Sequence, residues 1–152
     1  RVYAGTTWAR WSRLKDITVE NKGVTAAAGG AAAPQLFGTI TEEQNWHDTW
    51  AYAIGTSYQL NKQWVVRTGL TWDQSPTNNT NRSPRIPTGD RTIFSLGAGY
   101  AVTDDLTIDV AYSYLKEESV KVHDAKPQIG SFYEAKYENS ANGFAVGATY
   151  KF

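Results

Sequence analysis

Asn142-Gly143-Phe144-Ala145-Val146-Gly147-Ala148-Thr149-Tyr150-Lys151-Phe152 is the stretch whose reading decides the fold. Phe144, Val146, Ala148, Tyr150 and Phe152 fall on one parity; Gly143, Ala145, Gly147, Thr149 and Lys151 fall on the other. Apolar and small-polar residues therefore alternate with period two, the mark of a β-strand with one greasy face. The aromatic at each end and the small residues opposite suit a strand that crosses a membrane as part of a barrel. A soluble terminus more often frays into polar residues, and this one ends on Phe152.

Working outward, the same alternation recurs. Trp50, Tyr52, Ile54, Thr56, Tyr58 and Leu60 share a face in a predicted strand from about Trp46 to Leu60. After the turn Asn61-Lys62-Gln63 come Trp64, Val66, Thr68, Leu70 and Trp72. Phe94, Leu96, Ala98, Tyr100 and Val102 form a fourth strand. The turn Thr103-Asp104-Asp105 leads to a fifth, with Leu106, Ile108, Val110, Tyr112 and Tyr114. Val2 to Val19 is the expected first strand, its face left open because Trp8 and Trp11 have opposite parity. Glu20–Asn45, with the low-complexity piece Ala26–Ala33 before Pro34, is expected to be loop, as are Gln74–Asp90 and Glu117–Asn139.

Connections thus alternate long and short, as in outer-membrane barrels. Gly55-Thr56-Ser57-Tyr58-Gln59-Leu60 and Gly97-Ala98-Gly99-Tyr100-Ala101-Val102 echo each other ahead of the two tight turns. That alignment puts Tyr58, Trp64, Tyr100, Tyr150 and Phe152 at one level on the outer face, where an aromatic girdle belongs. Trp50, Trp72, Phe94, Tyr112 and Tyr114 form a second group toward the long loops.

Composition narrows the alternatives. The 152 residues carry fifteen basic and fifteen acidic side chains, which implies no long-range pull toward nucleic acid. There is no cysteine, hence no disulfide scaffold and no cysteine-based metal site. No apolar run approaches the ~18 residues of a transmembrane helix. A soluble β-sandwich also alternates, but its second face should be charged. Here that face is mostly Gly, Ala, Ser and Thr. The expected class is all-β: an antiparallel, up-and-down transmembrane barrel segment of about six strands. Membrane barrels start at about eight strands, so residues 1–152 are expected to be a fragment of a larger barrel domain.

Parity points Arg67 and Asp109 inward. If Val102 pairs with Leu106, Gly99 lies opposite Asp109 and leaves room for the guanidinium to reach the carboxylate across about 10 Å, two strand spacings. A lumen-bracing ion pair and a ligand contact both fit. Gly55, Gly69, Gly97, Gly99, Ala111 and Gly147 leave space in the lumen for a plug, a ligand or water. Arg82, Arg85 and Arg91 are expected to gather with Asp90 in the external loop, either as anion-attracting groups or as local Arg–Asp bridges. Asn78-Asn79-Thr80 fits a glycosylation tripeptide, a pattern common by chance. Two histidines, His47 and His123, and no Gly-x-Ser-x-Gly elbow give enzyme chemistry little support. No catalytic residue, metal ligand or cofactor is expected.

Trp64-Val65-Val66-Arg67-Thr68-Gly69-Leu70, Asp73-Gln74-Ser75-Pro76, Asn81-Arg82-Ser83-Pro84-Arg85-Ile86-Pro87 and Asp90-Arg91 follow in tight order. With Trp8-Ala9-Arg10-Trp11-Ser12 and Ser119-Val120-Lys121-Val122, they resemble the C-terminal portion of the outer-membrane long-chain fatty acid transporter family, which includes uptake channels for aromatic hydrocarbons. The resemblance implies a roughly fourteen-stranded barrel with an N-terminal plug. It also implies outer-membrane lipid around the barrel and passive uptake of hydrophobic molecules. In relatives a basic residue before the second strand helps hold a carboxylate. Here Glu42-Glu43-Gln44 stands in that place, with His47 the nearest cation, which leaves a neutral hydrocarbon open. The terminal strand is similar to the tag read by the membrane-insertion machinery. The alternative functions are a structural or interaction sheet (a soluble sandwich or small adhesin-like barrel) and an outer-membrane lipid-processing enzyme.

Overall fold

The computed structural model describes residues 1–25, 37–126 and 131–152; the Ala26–Pro34 piece lies outside them. Among the described residues ten strands form: β1 (Val2–Ala9), β2 (Asp16–Glu20), β3 (Thr39–Glu43), β4 (Thr49–Gln59), β5 (Trp64–Asp73), β6 (Arg91–Ala101), β7 (Leu106–Glu117), β8 (Val120–Lys126), β9 (Ser131–Tyr137) and β10 (Ser140–Tyr150). Six of them make one antiparallel sheet in the order β1-β4-β5-β6-β7-β10. β4, β5, β6, β7 and β10 are 10 to 12 residues long, the length a tilted strand needs to cross a bilayer. β1 pairs only with β4 and β10 only with β7, so the sheet is open: a segment of a barrel wall.

The expected single strand over Val2–Val19 is corrected. β1 stops at Ala9, a single 3-10 turn covers Trp11–Arg13, and β2 then joins a different sheet. At the break, the Ser12 N–H donates to Asp48 Oδ1 at 2.9 Å instead of to a neighbouring strand. The break also resolves the parity conflict of the tryptophans. Trp8 faces outward in register with Trp50, while Trp11 lies past the strand, edge-on to Trp46 at 5.4 Å.

Two of the three expected loops are corrected as well, since each contains strand. β3 lies within the first and pairs with β2, the remainder of the expected first strand, as an external hairpin that joins Val19 to Ile40 and Thr18 to Thr41. β8 and β9 pair within the last, joining Val120 to Tyr137 and Val122 to Ala135. β-Branched residues in both loops carried that signal: Thr39-Ile40-Thr41 in the first, and Val120 with Val122 in the last. β4 starts at Thr49 rather than Trp46, because Asn45 turns the chain through φ 45° and the Trp46 N–H goes to Leu14 O.

The two short turns are closed by side chains. Asn61 Oδ1 accepts from the Gln63 and Trp64 N–H groups, and Thr103 Oγ1 from those of Asp105 and Leu106. Such self-capping is why Asn and Thr sit there. It sets the register of the two strands that each turn joins: Gln59 opposite Val65, and Ala101 opposite Thr107.

Packing excludes a sandwich. Among the described residues the buried apolar side chains are Val120 and Val122, whereas Ile54 is 58% and Val146 79% exposed. No second sheet covers the greasy face, so water is the wrong solvent for it and lipid the right one. The buried polar side chains lie at the loop end: Gln44, Thr49, Ser75, Thr77 and Arg82.

The outward aromatics fall into two belts. Near the short turns Trp64 packs on Tyr100 (4.7 Å between ring centres) and Tyr150 on Phe152 (5.3 Å), with Tyr58 on the same level. Toward the loops Trp50, Tyr52 and Trp72 stack in a row, at 6.1 and 5.9 Å. From Trp64 to Trp72 the strand rises about 26 Å. A tilt near 40° reduces that to about 20 Å along the barrel axis, comparable with an outer-membrane apolar band.

Candidate functional site

Midway along the inner face an ion pair spans small residues, and a second pair, Asp73–Arg91, stands on the same face at the loop end. Val65, Gly99 and Asp109 lie side by side on three adjacent strands, and Arg67 sits one inward position further up, opposite Gly97. Arg67 Nη1 reaches over Gly99 to Asp109 Oδ1 at 2.8 Å. A Cβ on Gly99 would stand 2.7 Å from that carboxylate oxygen, 2.9 Å from Val65 Cγ1 and 3.3 Å from Arg67 Nη1. The glycine is therefore the space through which the bridge passes. The two side chains are 48% and 40% exposed, so the charges face the lumen rather than a protein interior. Beside them a cavity of about 380 Å³ is lined by Arg1, Tyr3, Ser57, Gln59, Val65 and Arg67.

His47 does not join this group. It lines a polar cavity of about 440 Å³ at the loop end, with Arg82, Asp90 and Glu118. Arg67 and the strand end at Asp73 are six residues apart, about 20 Å along the wall. The lumen pair and the histidine thus belong to different levels of the barrel.

Arg82, Arg85 and Arg91, expected to gather with Asp90, each bond to a different partner, and one of these bonds is a local Arg–Asp bridge. Arg91 pairs with its register neighbour Asp73 at 2.6 Å. Arg85 crosses to Glu42 of β3 at 2.7 Å. Asp90 uses Oδ1 to accept the Ser75 N–H at 2.9 Å. Arg82 is 8% exposed; its Nε donates to Thr77 Oγ1 at 3.3 Å and its Nη1 to Asn79 Oδ1. Burial lowers the Arg82 pKa from its ordinary value, while the charges of Asp90 and Glu118 oppose the shift.

Glu42-Glu43-Gln44 is likewise committed. Glu42 holds Arg85, Glu43 accepts from Asn45 Nδ2 at 3.4 Å, and the buried Gln44 takes the Trp46 indole N–H at 3.1 Å. Asn78 of the glycosylation tripeptide is occupied too: its Nδ2 donates to Asn45 O at 3.1 Å, and its Oδ1 accepts from the Thr80 and Asn81 N–H groups. Sequence reasoning missed Asp73 as the partner of Arg91, Glu42 as the partner of Arg85, and the hydroxyls of Ser75, Thr77 and Thr88. Of these, only Asp73 had a readable signal, an inward acidic residue at the top of a strand.

The chain matches, over residues 1–152, the family described as outer membrane protein transport protein (OMPP1/FadL/TodX). It is 33% identical over 128 residues to the long-chain fatty acid transport protein of Salmonella typhi, covering 84% of this chain and 26% of that protein. A protein of the same name from Escherichia coli O6:H1 is 31% identical over 149 residues, covering 98% and 30%. Outer membrane protein P1 of Haemophilus influenzae is 38% identical over 90 residues, covering 59% and 19%. The crystal structure of a Pseudomonas aeruginosa FadL homologue superposes with a TM-score of 0.78 at 32% identity, covering 98% of this chain and 32% of that one. The chain spans about a quarter to a third of the two fatty acid transport proteins and of the solved homologue. With an open six-stranded sheet, a greasy outer face and this match along its whole length, the chain belongs to the FadL/TodX family of outer-membrane β-barrel transport proteins.

Proposed function

We propose that residues 1–152 form the C-terminal part of a single barrel domain whose lumen passes hydrophobic molecules, long-chain fatty acids or aromatic hydrocarbons, passively across the bacterial outer membrane. The observation that carries this reading is the contrast between the two faces of the sheet. The outer face is aliphatic with aromatic belts, whereas the middle of the inner face is built largely of small residues spanned by the Arg67–Asp109 pair, with Asp73–Arg91 as a second pair toward the loops. In this reading Tyr58, Trp64, Tyr100, Tyr150 and Phe152 form the interfacial girdle against lipid. The free edges of β1 and β10 are completed by the remaining strands of the barrel, and the plug fills part of the lumen beside Gly97, Gly99 and Gly147. The chain acts by lining a path and supplies no catalytic group.

A neutral ligand is favoured by one specific observation. Where relatives place a carboxylate-binding cation, Glu42 is present and the arginine that reaches it, Arg85, is already paired. The test is uptake by cells that depend on the assembled barrel, with a labelled long-chain fatty acid and a labelled aromatic hydrocarbon supplied in parallel. Arg67→Ala and Asp109→Asn are expected to lower uptake or thermal stability. Unchanged uptake of both compounds together with unchanged stability removes both residues from the mechanism.

A further inference from the structure

The loop-end packing has a feature that the uptake reading does not use: segment 74–90 is bonded to both external hairpins. Toward β2–β3, Asn78 Nδ2 donates to Gln44 O at 3.4 Å and Asn45 O at 3.1 Å, and the His47 N–H donates to Pro76 O at 3.1 Å. Arg85 adds its bridge to Glu42. Toward β8–β9, the Glu118 N–H donates to Asp90 O at 2.8 Å and Asn139 Nδ2 to Pro87 O at 3.4 Å. Gly89 lies so close that any Cβ would meet the Glu118 carbonyl oxygen. Among the described residues no hydrogen bond or ion pair runs directly from β2 or β3 to β8 or β9.

The segment is stiffened from within. Ser75 Oγ is 2.9 Å from Thr77 Oγ1 and 3.0 Å from Thr88 Oγ1, and Thr77 Oγ1 donates to Thr88 O at 2.9 Å. Arg82 closes this network from one side, without a carboxylate in ion-pair contact. A buried cation held this way is costly unless opposite charge stands nearby. Asp90 and Glu118 supply it from the wall of the same cavity. Two carboxylates of the cavity wall thus face the one guanidinium, which suits a structural role better than capture of an anion.

We infer that segment 74–90 is a latch that couples the β2–β3 and β8–β9 hairpins, with Arg82 as its pin, so that the two hairpins at the outer mouth move as one body. Loosening the latch at either hairpin then frees both.

The test is hydrogen exchange followed by mass spectrometry on the assembled barrel in nanodiscs. Asn78→Asp keeps the Oδ1 acceptor that shapes the turn and removes the donor to Gln44 and Asn45. It is expected to speed exchange about tenfold in β2–β3 and also in β8–β9, which Asn78 does not touch. Arg82→Gln is expected to speed exchange in both hairpins and within 74–90. Acceleration confined to β2–β3 in N78D overturns the proposal, as does an unchanged β8–β9 in a folded R82Q barrel. If R82Q does not fold, N78D decides alone.

Discussion

Replacing Gly99 with alanine probes the lumen pair without removing either charge. The new methyl would stand 2.7 Å from Asp109 Oδ1 and 2.9 Å from Val65 Cγ1, both inside normal contact. The carboxylate is the end of a side chain that can swing away, whereas the valine methyl is held by a stiff χ1. Relief therefore comes chiefly from Asp109, and the 2.8 Å bridge opens. With side chains 48% and 40% exposed, solvent screens the pair, so its loss costs about 0.2–1 kcal/mol. Moving Val65 off its rotamer adds about 0.5–1.5 kcal/mol. Against these, alanine narrows the unfolded ensemble and returns about 0.4–1 kcal/mol.

The net change then lies between about −0.3 and 2 kcal/mol, and its sign alone decides nothing. A double-mutant cycle removes the shared terms. Arg67→Gln and Asp109→Asn, singly and together, are made in the native and G99A barrels, and unfolding is followed in urea in lipid vesicles. A coupling energy of about 0.2–1 kcal/mol is expected with Gly99 and near zero in G99A. Equal coupling in both backgrounds refutes the reasoning, because it means that the bridge does not need the space above Gly99.

Gly89→Ala is the harsher glycine change. Its Cβ meets a backbone carbonyl at Glu118, in the short link between β7 and β8, besides Val120 Cγ1 at 2.8 Å, and a main-chain carbonyl cannot swing aside as a side-chain end can. A loss of about 1–3 kcal/mol is expected by the same urea assay, larger than for G99A. Acid should loosen the external side first. Asp48 lies below its ordinary 3.8 through hydrogen bonds from Ser12, and Glu138 below 4.5 through bonds from Lys136 and Ser119. Both pKa values are depressed by folding, so the stabilisation is present above those ordinary values and is lost as pH falls through the lower, folded ones. Hydrogen exchange corrected for its intrinsic pH dependence should show the Trp11–Arg13 turn and the β9–β10 connection opening at acid pH before the wall strands. Simultaneous opening of all strands contradicts this.

The wall was legible because its rules are local. Parity alone assigns each side chain of a strand to the lipid or the lumen. The self-capped turns at Asn61 and Thr103 set the height of every residue above them, which is how the separation of Arg67 and Asp109 across Gly99 was readable in advance. The face of β1 was not, because Trp8 and Trp11 belong to different elements and the break between them depends on a distant acceptor, Asp48.

By itself, then, the sequence determined an open meander of membrane-spanning strands, its two faces and its lumen ion pair, since alternation and turn chemistry act over a few neighbouring residues. Only the tertiary structure decided the external end: the two hairpins, the dispersal of Arg82, Arg85 and Arg91, and the burial of Arg82. The bonds that organise that end go largely to the main-chain carbonyls of Gln44, Asn45, Pro76, Pro87 and Asp90. Every residue carries such a carbonyl, so residue type gives no sign of which ones will be used.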